Sequence, residues 1–222
     1  NDLARIECWA SQWLVDFSVP KTKSLIISNK HDVHLNPPLR FKNENIKEVN
    51  SYKYLGLEIN NDLRWGKHIQ DIAIKARRKL NLMLPLKYKL DRCSLQTMYN
   101  SFVLSSMTYA CPVWGGSYDC DIQKLEAIHV DAMRLITGAT ARSKIESLYE
   151  ETKFVPMSTL LENRTLVFMF KILHGLSPPY LADMIELNHP DNEARYNLRN
   201  NPPLKIPFAR LETFKRSFVP RA

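Results

Sequence analysis

Positive charge is concentrated in one stretch of the chain. Lys67, Lys75, Arg77, Arg78 and Lys79 are followed by Lys87, Lys89 and Arg92, and the only acids between Trp65 and Arg92 are Asp71 and Asp91. A one-signed run of this kind suits a phosphate backbone, because neutralising phosphates releases condensed counterions and drives binding. It also suits a solvated helix face. Lys21-Thr22-Lys23, after Pro20, is a second place for anion chemistry, with Lys21 either a point cation beside a phosphate or a solvated turn residue. Trp9 and Trp13 stand four residues apart, a spacing that favours packing over base stacking. Two-metal chemistry needs paired carboxylates. No Asp-Asp pair occurs in the 222 residues, and Asp2 and Asp16 each lack an adjacent partner. The six histidines are scattered, and His68, at the start of the basic run, reads as a polar surface group. Cys8, Cys93, Cys111 and Cys120 include no C-x-x-C pair, which argues against structural zinc and a disulfide framework and for a reducing, intracellular compartment, nuclear or cytoplasmic. There is no Gly-rich phosphate loop, H-E-x-x-H or G-x-S-x-G pattern.

These groups need a scaffold, and hydrophobic periodicity supplies it in two styles. Leu3, Ile6, Trp9, Ala10, Trp13 and Leu14 recur at helical spacing and predict a helix over residues 2–14. Residues 24–28 read as a short apolar strand, 29–38 as a polar loop, and 39–42 with 46–49 as a hairpin about Asn43-Glu44-Asn45. Residues 52–59 have the aromatic and branched composition of a strand, with Gly56 marking a bulge or a close approach of another backbone or ligand. Asn60-Asn61-Asp62 is turn chemistry. From Gly66 the period is helical, and Ile69, Ile72, Ala73, Ala76, Leu80, Met83 and Leu84 form a stripe that Pro85 ends.

Asp91 or Ser94 caps the next helix, which carries Leu95, Met98, Tyr99, Phe102 and Val103. Tyr109-Ala110-Cys111-Pro112-Val113-Trp114-Gly115-Gly116 closes it, with Trp114 open to packing or stacking. A further helix is expected over 121–136 with Gly138 as its cap. Ser143 and Glu146 form a capping-box pattern for a short helix over 145–149. Ser158 or Thr159 opens another that stops at Gly175, and 188–207 reads as loop or extended structure. With 45% hydrophobic and 24% charged residues and a net charge of +8, the chain is expected to be globular and to meet a polyanion. No apolar run approaches the ~18 residues of a membrane span.

Several motifs, in order, carry a resemblance. They are Trp13…Lys21-Thr22…Leu25-Ile26-Ile27-Ser28, then Tyr52-Lys53-Tyr54-Leu55-Gly56-Leu57 with Asp62-Leu63-Arg64-Trp65 and His68 close behind. Leu95-x-x-x-Tyr99, Tyr109-Ala110-x-Pro112-Val113-Trp114 and the run from Leu125 to Ala139 follow, with Tyr196-Asn197-Leu198-Arg199 and residues 215–220 near the end. Together they resemble the reverse transcriptases of non-LTR (LINE-type, jockey-like) retrotransposons. The resemblance implies an α+β fold. A small antiparallel sheet with one helix, the end of the palm, would occupy residues 1–64. A helical thumb-like region would span 65–140, and a helical or extended C-terminal region 141–222.

It further implies nucleic-acid contacts. Lys21 and Thr22 would lie near the incoming nucleotide, Tyr54, Leu55 and Gly56 at the primer grip, and Lys75, Arg77, Arg78 and Lys79 on the thumb. The implied activity is RNA-directed DNA polymerisation, with Mg²⁺ held by a Tyr/Phe-x-Asp-Asp turn upstream of the helix that opens this sequence. The chain is therefore expected to be a fragment without catalytic residues or a metal of its own. Its implied partners are an RNA/DNA template–primer duplex and the fingers and remaining palm of an intact protein. The other reading is a non-catalytic helical protein-interaction module whose basic face is solvated.

Overall fold

Strands of two or more residues all end by Asn60 in the computed structural model, which describes residues 2–28, 38–186 and 204–221. The loop expected at 29–38 lies almost wholly outside those residues, as do Tyr196 to Arg199. The chain forms two compact units, Asn1–His68 and Ile69–Ala222.

In the first unit, α1 (Asp2–Gln12) is shorter than its apolar pattern. Leu14 takes a left-handed φ of 55°, and Val15 N–H returns to the Ala10 carbonyl at 2.9 Å. That is a Schellman-type stop with leucine where glycine is usual. The strand expected at 24–28 is reduced to β1 (Lys23–Ser24), which later pairs in parallel with β4 (Lys47–Glu48). Between them, β2 (Arg40–Phe41) and β3 (Glu44–Asn45) form a hairpin whose turn is Lys42-Asn43, at φ 51° and 63°. Two consecutive positive φ values match the twist of a two-residue turn, so the hairpin turns one residue earlier than expected. β5 (Ser51–Tyr54) and β6 (Leu57–Asn60) pair in antiparallel register, Tyr52 opposite Ile59 and Tyr54 opposite Leu57. Residues 52–59 are thus both arms of a hairpin instead of one strand. Gly56, at φ 87°, is a turn residue and not a bulge. Among the described residues the sheet structure is three two-stranded ladders, two of them antiparallel.

The apolar face of α1 is mostly uncovered. Ala10 is buried, whereas Trp9 is 49% and Trp13 65% exposed, which overturns the expectation that packing would bury the pair. Among the described residues α1 packs on the two-residue β2, where Trp9, Phe17 and Phe41 form a chain of ring contacts at 6.5 and 6.1 Å.

The second unit is helical. α2 (Gly66–Met83), whose first three residues belong to the first unit, buries Ile69, Ile72, Ala76, Leu80 and Met83 along the expected stripe, but Leu84, expected to end it, is 52% exposed. Each such Leu, Ile or Met contributes about 1.5–3 kcal/mol relative to exposure. Asp91, not Ser94, caps α3 (Arg92–Met98), accepting from the N–H groups of Cys93 and Ser94. The helix widens into a π segment, Tyr99–Leu104, before α4 (Ser105–Met107). Hydroxyls of Ser101, Ser105, Ser106 and Thr108 bond back to carbonyls three or four residues earlier, a competition that bends helices. α5 (Cys111–Trp114) buries Trp114 completely, and its Nε1–H donates to the Tyr109 carbonyl at 2.8 Å, so packing is its role.

α6 (Asp119–Thr137) ends at Gly138, φ 76°, as the sequence predicts. It packs on α3, α7 (Ile145–Thr152) and α8 (Met157–Leu173). The capping box does not form. α7 begins one residue late for it, with Lys144 at the cap position, and Ser143 faces Thr140 instead. α8 likewise starts before either expected cap, behind Pro156. After α9 (Pro179–Ala182), α10 (Glu212–Lys215) and α11 (Phe218–Arg221) return to α5 and α8. There Arg221 donates to the Pro112 carbonyl and Thr165 Oγ1, and a Cβ on Gly116 would lie 2.1 Å from the Arg216 carbonyl.

A buried polar network ties this core together. His129, 1% exposed, meets Tyr99 Oη at 2.6 Å through Nδ1 and the Val155 carbonyl at 3.1 Å through Nε2. The carbonyl only accepts, so Nε2 carries the proton and Nδ1 accepts from Tyr99. Glu126 accepts from Tyr149 Oη and from Met157 N–H. Burial holds the His129 imidazole below the usual histidine range, against the opposing pull of Glu126 and the Val155 carbonyl. The unfolded chain therefore takes up that proton first, and stability present above about pH 6.5 is lost as pH falls through the depressed folded value. The urea midpoint is expected to drop between pH 7.5 and 5.5, and His129→Gln should remove part of that drop. An unchanged pH dependence in His129→Gln would show that His129 is not its source.

Candidate nucleic-acid interface

The hairpin of β5 and β6 is anchored at its base and open at its tip. Lys67 Nζ donates to Glu58 Oε1 at 2.6 Å and to Ser51 Oγ at 2.9 Å, tying the first turn of α2 to both strands. The Lys67 hydrogen bond holds the Glu58 carboxyl below the usual carboxylate range. His68 is not the expected surface group. It is 4% exposed, its Nδ1 accepts from Glu58 N–H at 3.3 Å, and Trp65 packs edge-on against its ring. Tyr54 and Leu55 are exposed at the tip beside Gly56. Val in place of Gly56 would strain the turn itself, because φ 87° is unfavourable to a branched side chain.

Lys21 ends a 3₁₀ turn, Val19–Lys21, that Pro20 starts. It is exposed and joins none of the ion pairs among the described residues, so its ammonium is available to an anion. Thr22 is committed locally, its hydroxyl donating to the Ser18 carbonyl at 3.0 Å. Lys23 Nζ caps the Pro20 carbonyl at 2.8 Å. The chain then enters β1, hydrogen-bonded to β4, with β5 beginning three residues after that strand ends.

On α2 the four cations divide in two. Arg77 Nη1 pairs with Asp131 Oδ2 at 2.5 Å, and Asp131 also receives Arg134 at 3.0 Å. Lys79 Nζ donates to the Phe102 carbonyl at 2.8 Å and sits 4.7 Å from that residue's ring centre. Neighbouring helices explain the split. Lys75 and Arg77 both lie about 100° from Ala76 on the helix, yet Arg77 meets Asp131 of α6, and Arg77 and Lys79 are half-buried whereas Lys75 and Arg78 are exposed. Both outward residues are exposed and join none of the ion pairs among the described residues. The nine residues singled out by sequence therefore fall in two groups, one in each unit. Within them Lys21, Tyr54, Leu55, Lys75 and Arg78 are exposed, while Thr22, Arg77 and Lys79 are held by the fold. Sequence reading passed over Tyr88, which stands between two of the lysines it did notice.

No group of three or more metal-ligating side chains occurs among the described residues. Asp2 pairs with Arg5 at 3.8 Å and Asp16 with Lys42. No helix among the described residues is long and apolar enough to cross a membrane.

The chain is similar to RNA-directed DNA polymerases of non-LTR mobile elements. The relatives include the probable RNA-directed DNA polymerase from transposon X-element of Drosophila melanogaster, 26% identical over 152 residues, covering 67% of this chain and 16% of the relative. The RNA-directed DNA polymerase from mobile element jockey matches at 22% over 167 residues in Drosophila melanogaster, covering 74% of this chain and 18% of that protein. Its counterpart in Drosophila funebris is 24% identical over 134 residues, 59% of this chain and 14% of the relative. The chain thus spans under a fifth of the length of the curated relatives it matches. No family model matches it. No solved structure matches it either.

Proposed function

We propose that this chain is the template–primer-holding end of a non-LTR reverse transcriptase, comprising the end of the palm (1–64), a thumb-like region (65–140) and a C-terminal region (141–222). The observation that carries the reading is the outward pair Lys75 and Arg78, exposed cations that join no ion pair among the described residues, on a helix with a buried apolar stripe. Lys21 and the Tyr54-Leu55-Gly56 tip are its counterparts in the first unit. The uncovered Trp9–Trp13 face suits the remaining palm of a longer polymerase, since exposed apolar patches mark interaction surfaces.

Binding to duplex or hybrid template–primer should show little sequence preference, because phosphate contacts position without reading bases. A salt titration of affinity for labelled template–primer tests the proposal. A steep fall supports it, and no salt-dependent binding would refute it.

Catalysis is a separate matter. The metal-holding carboxylate pair is not in this sequence, so the chain alone is expected to extend no primer on an RNA template with Mg²⁺ or Mn²⁺. Template-dependent incorporation by purified protein would contradict this. A second reading, a protein-interaction module, draws on Leu166, Val167, Phe170 and Leu173, which leave a second face of α8 apolar and exposed. It predicts an interface whose affinity is insensitive to salt.

A further inference from the structure

The end of α2 is built into a defined tip. Pro85 turns the helix into a 3₁₀ segment, Leu84–Leu86, and the N–H groups of Lys87, Lys89 and Leu90 return to the Leu84 and Leu86 carbonyls at 2.9–3.3 Å. At this tip Tyr88 is 88% exposed, with Lys87 Nζ 5.7 Å from its ring centre. Leu82 and Leu84, 67% and 52% exposed, extend the apolar surface beside it in sequence. Lys87 and Lys89 join no ion pair among the described residues, as with Lys75 and Arg78 on the preceding turns.

An exposed aromatic ring flanked by two cations that join no ion pair among the described residues has the composition of a contact for single-stranded nucleic acid. Lysines hold phosphates while the ring takes a base face, which every base offers irrespective of sequence. A duplex hides those faces except at ends and junctions. We propose that Tyr88 stacks on an unpaired base of a single-stranded extension, with Lys87 and Lys89 on the flanking phosphates. This inference rests on the nucleic-acid reading of α2. Lys75 and Arg78 would lead the strand to the tip. From Lys75 to the end of α2 the helix rises about 12 Å, on the order of three or four nucleotides at the ~3.4 Å rise of a DNA strand.

The test compares fluorescence anisotropy on one duplex in blunt form and with a short single-stranded extension. Tyr88→Ala is expected to lower affinity for the extended duplex by roughly 5- to 150-fold, the range found for losing one base–aromatic stack. It should leave the blunt duplex unchanged, and Tyr88→Phe should restore wild-type binding. A 5-bromouracil in the extension should photo-crosslink to the 87–89 turn in wild type and not in Tyr88→Ala. Circular dichroism checks that the fold is intact, as the exposure of Tyr88 implies. If wild type binds with a steep salt dependence and Tyr88→Ala binds the extended duplex equally well, this inference fails and the nucleic-acid reading stands. Equal losses on both duplexes would also overturn it. Absence of any salt-dependent binding by wild type would remove both.

Discussion

Trp114→Ala is expected to cost about 3–5 kcal/mol, the range for emptying a large aromatic site in a close-packed core. Trp114 is fully buried in α5, which packs on α8, and its indole N–H is hydrogen-bonded to the Tyr109 carbonyl. Truncation removes the apolar area and the hydrogen bond together, and surrounding helices relax only partly into the space. Net stabilities of domains run to about 5–15 kcal/mol, so a large share of the folded population is at stake. Urea unfolding followed by circular dichroism measures the effect. Trp114→Phe, which keeps most of the volume and loses the donor, should fall between the two. A cost below about 1 kcal/mol for Trp114→Ala would mean that the residue is not a core anchor.

The second large effect concerns charge. Replacing both Lys75 and Arg78 with Gln is expected to flatten the slope of log affinity against log salt by about 0.9 for each lost contact on B-DNA. Between 50 and 200 mM salt, two lost contacts would narrow the change in affinity by roughly tenfold. The paired variant Arg77→Gln with Lys79→Gln should behave differently. Those side chains already hold Asp131 and the Phe102 carbonyl, so their loss should register as a modest loss of stability, about 1 kcal/mol or less for a half-exposed ion pair. An equal change of slope in both double variants would mean that Arg77 and Lys79 leave their partners on binding. An unchanged slope in Lys75→Gln/Arg78→Gln would make this face solvated and favour the protein-interaction reading.

What the sequence determined by itself is local. The stripe from Ile69 to Met83, the stop at Pro85 and the cap at Gly138 all depend on spacing and backbone preference within one element, and they stand where the pattern puts them. The order of motifs from Trp13 to Ala139 likewise sufficed for the likeness to non-LTR polymerases. Tertiary structure decided whatever required a distant partner. Residues 52–59 could serve as one strand or two until Leu55 and Gly56 took positive φ and folded the run on itself. His68 looked like a surface group and became an acceptor for Glu58 N–H. The α1 tryptophans had a core pattern, but among the described residues Trp9 meets Phe17, itself against Phe41 of β2, and both tryptophans stay exposed. The charge run on α2 is the sharpest case. Arg77 finds Asp131 across 54 residues and Lys79 finds Phe102 across 23, separations at which no periodicity carries information. Composition placed four cations together; only packing of neighbouring helices, by consuming two of them, left Lys75 and Arg78 facing water.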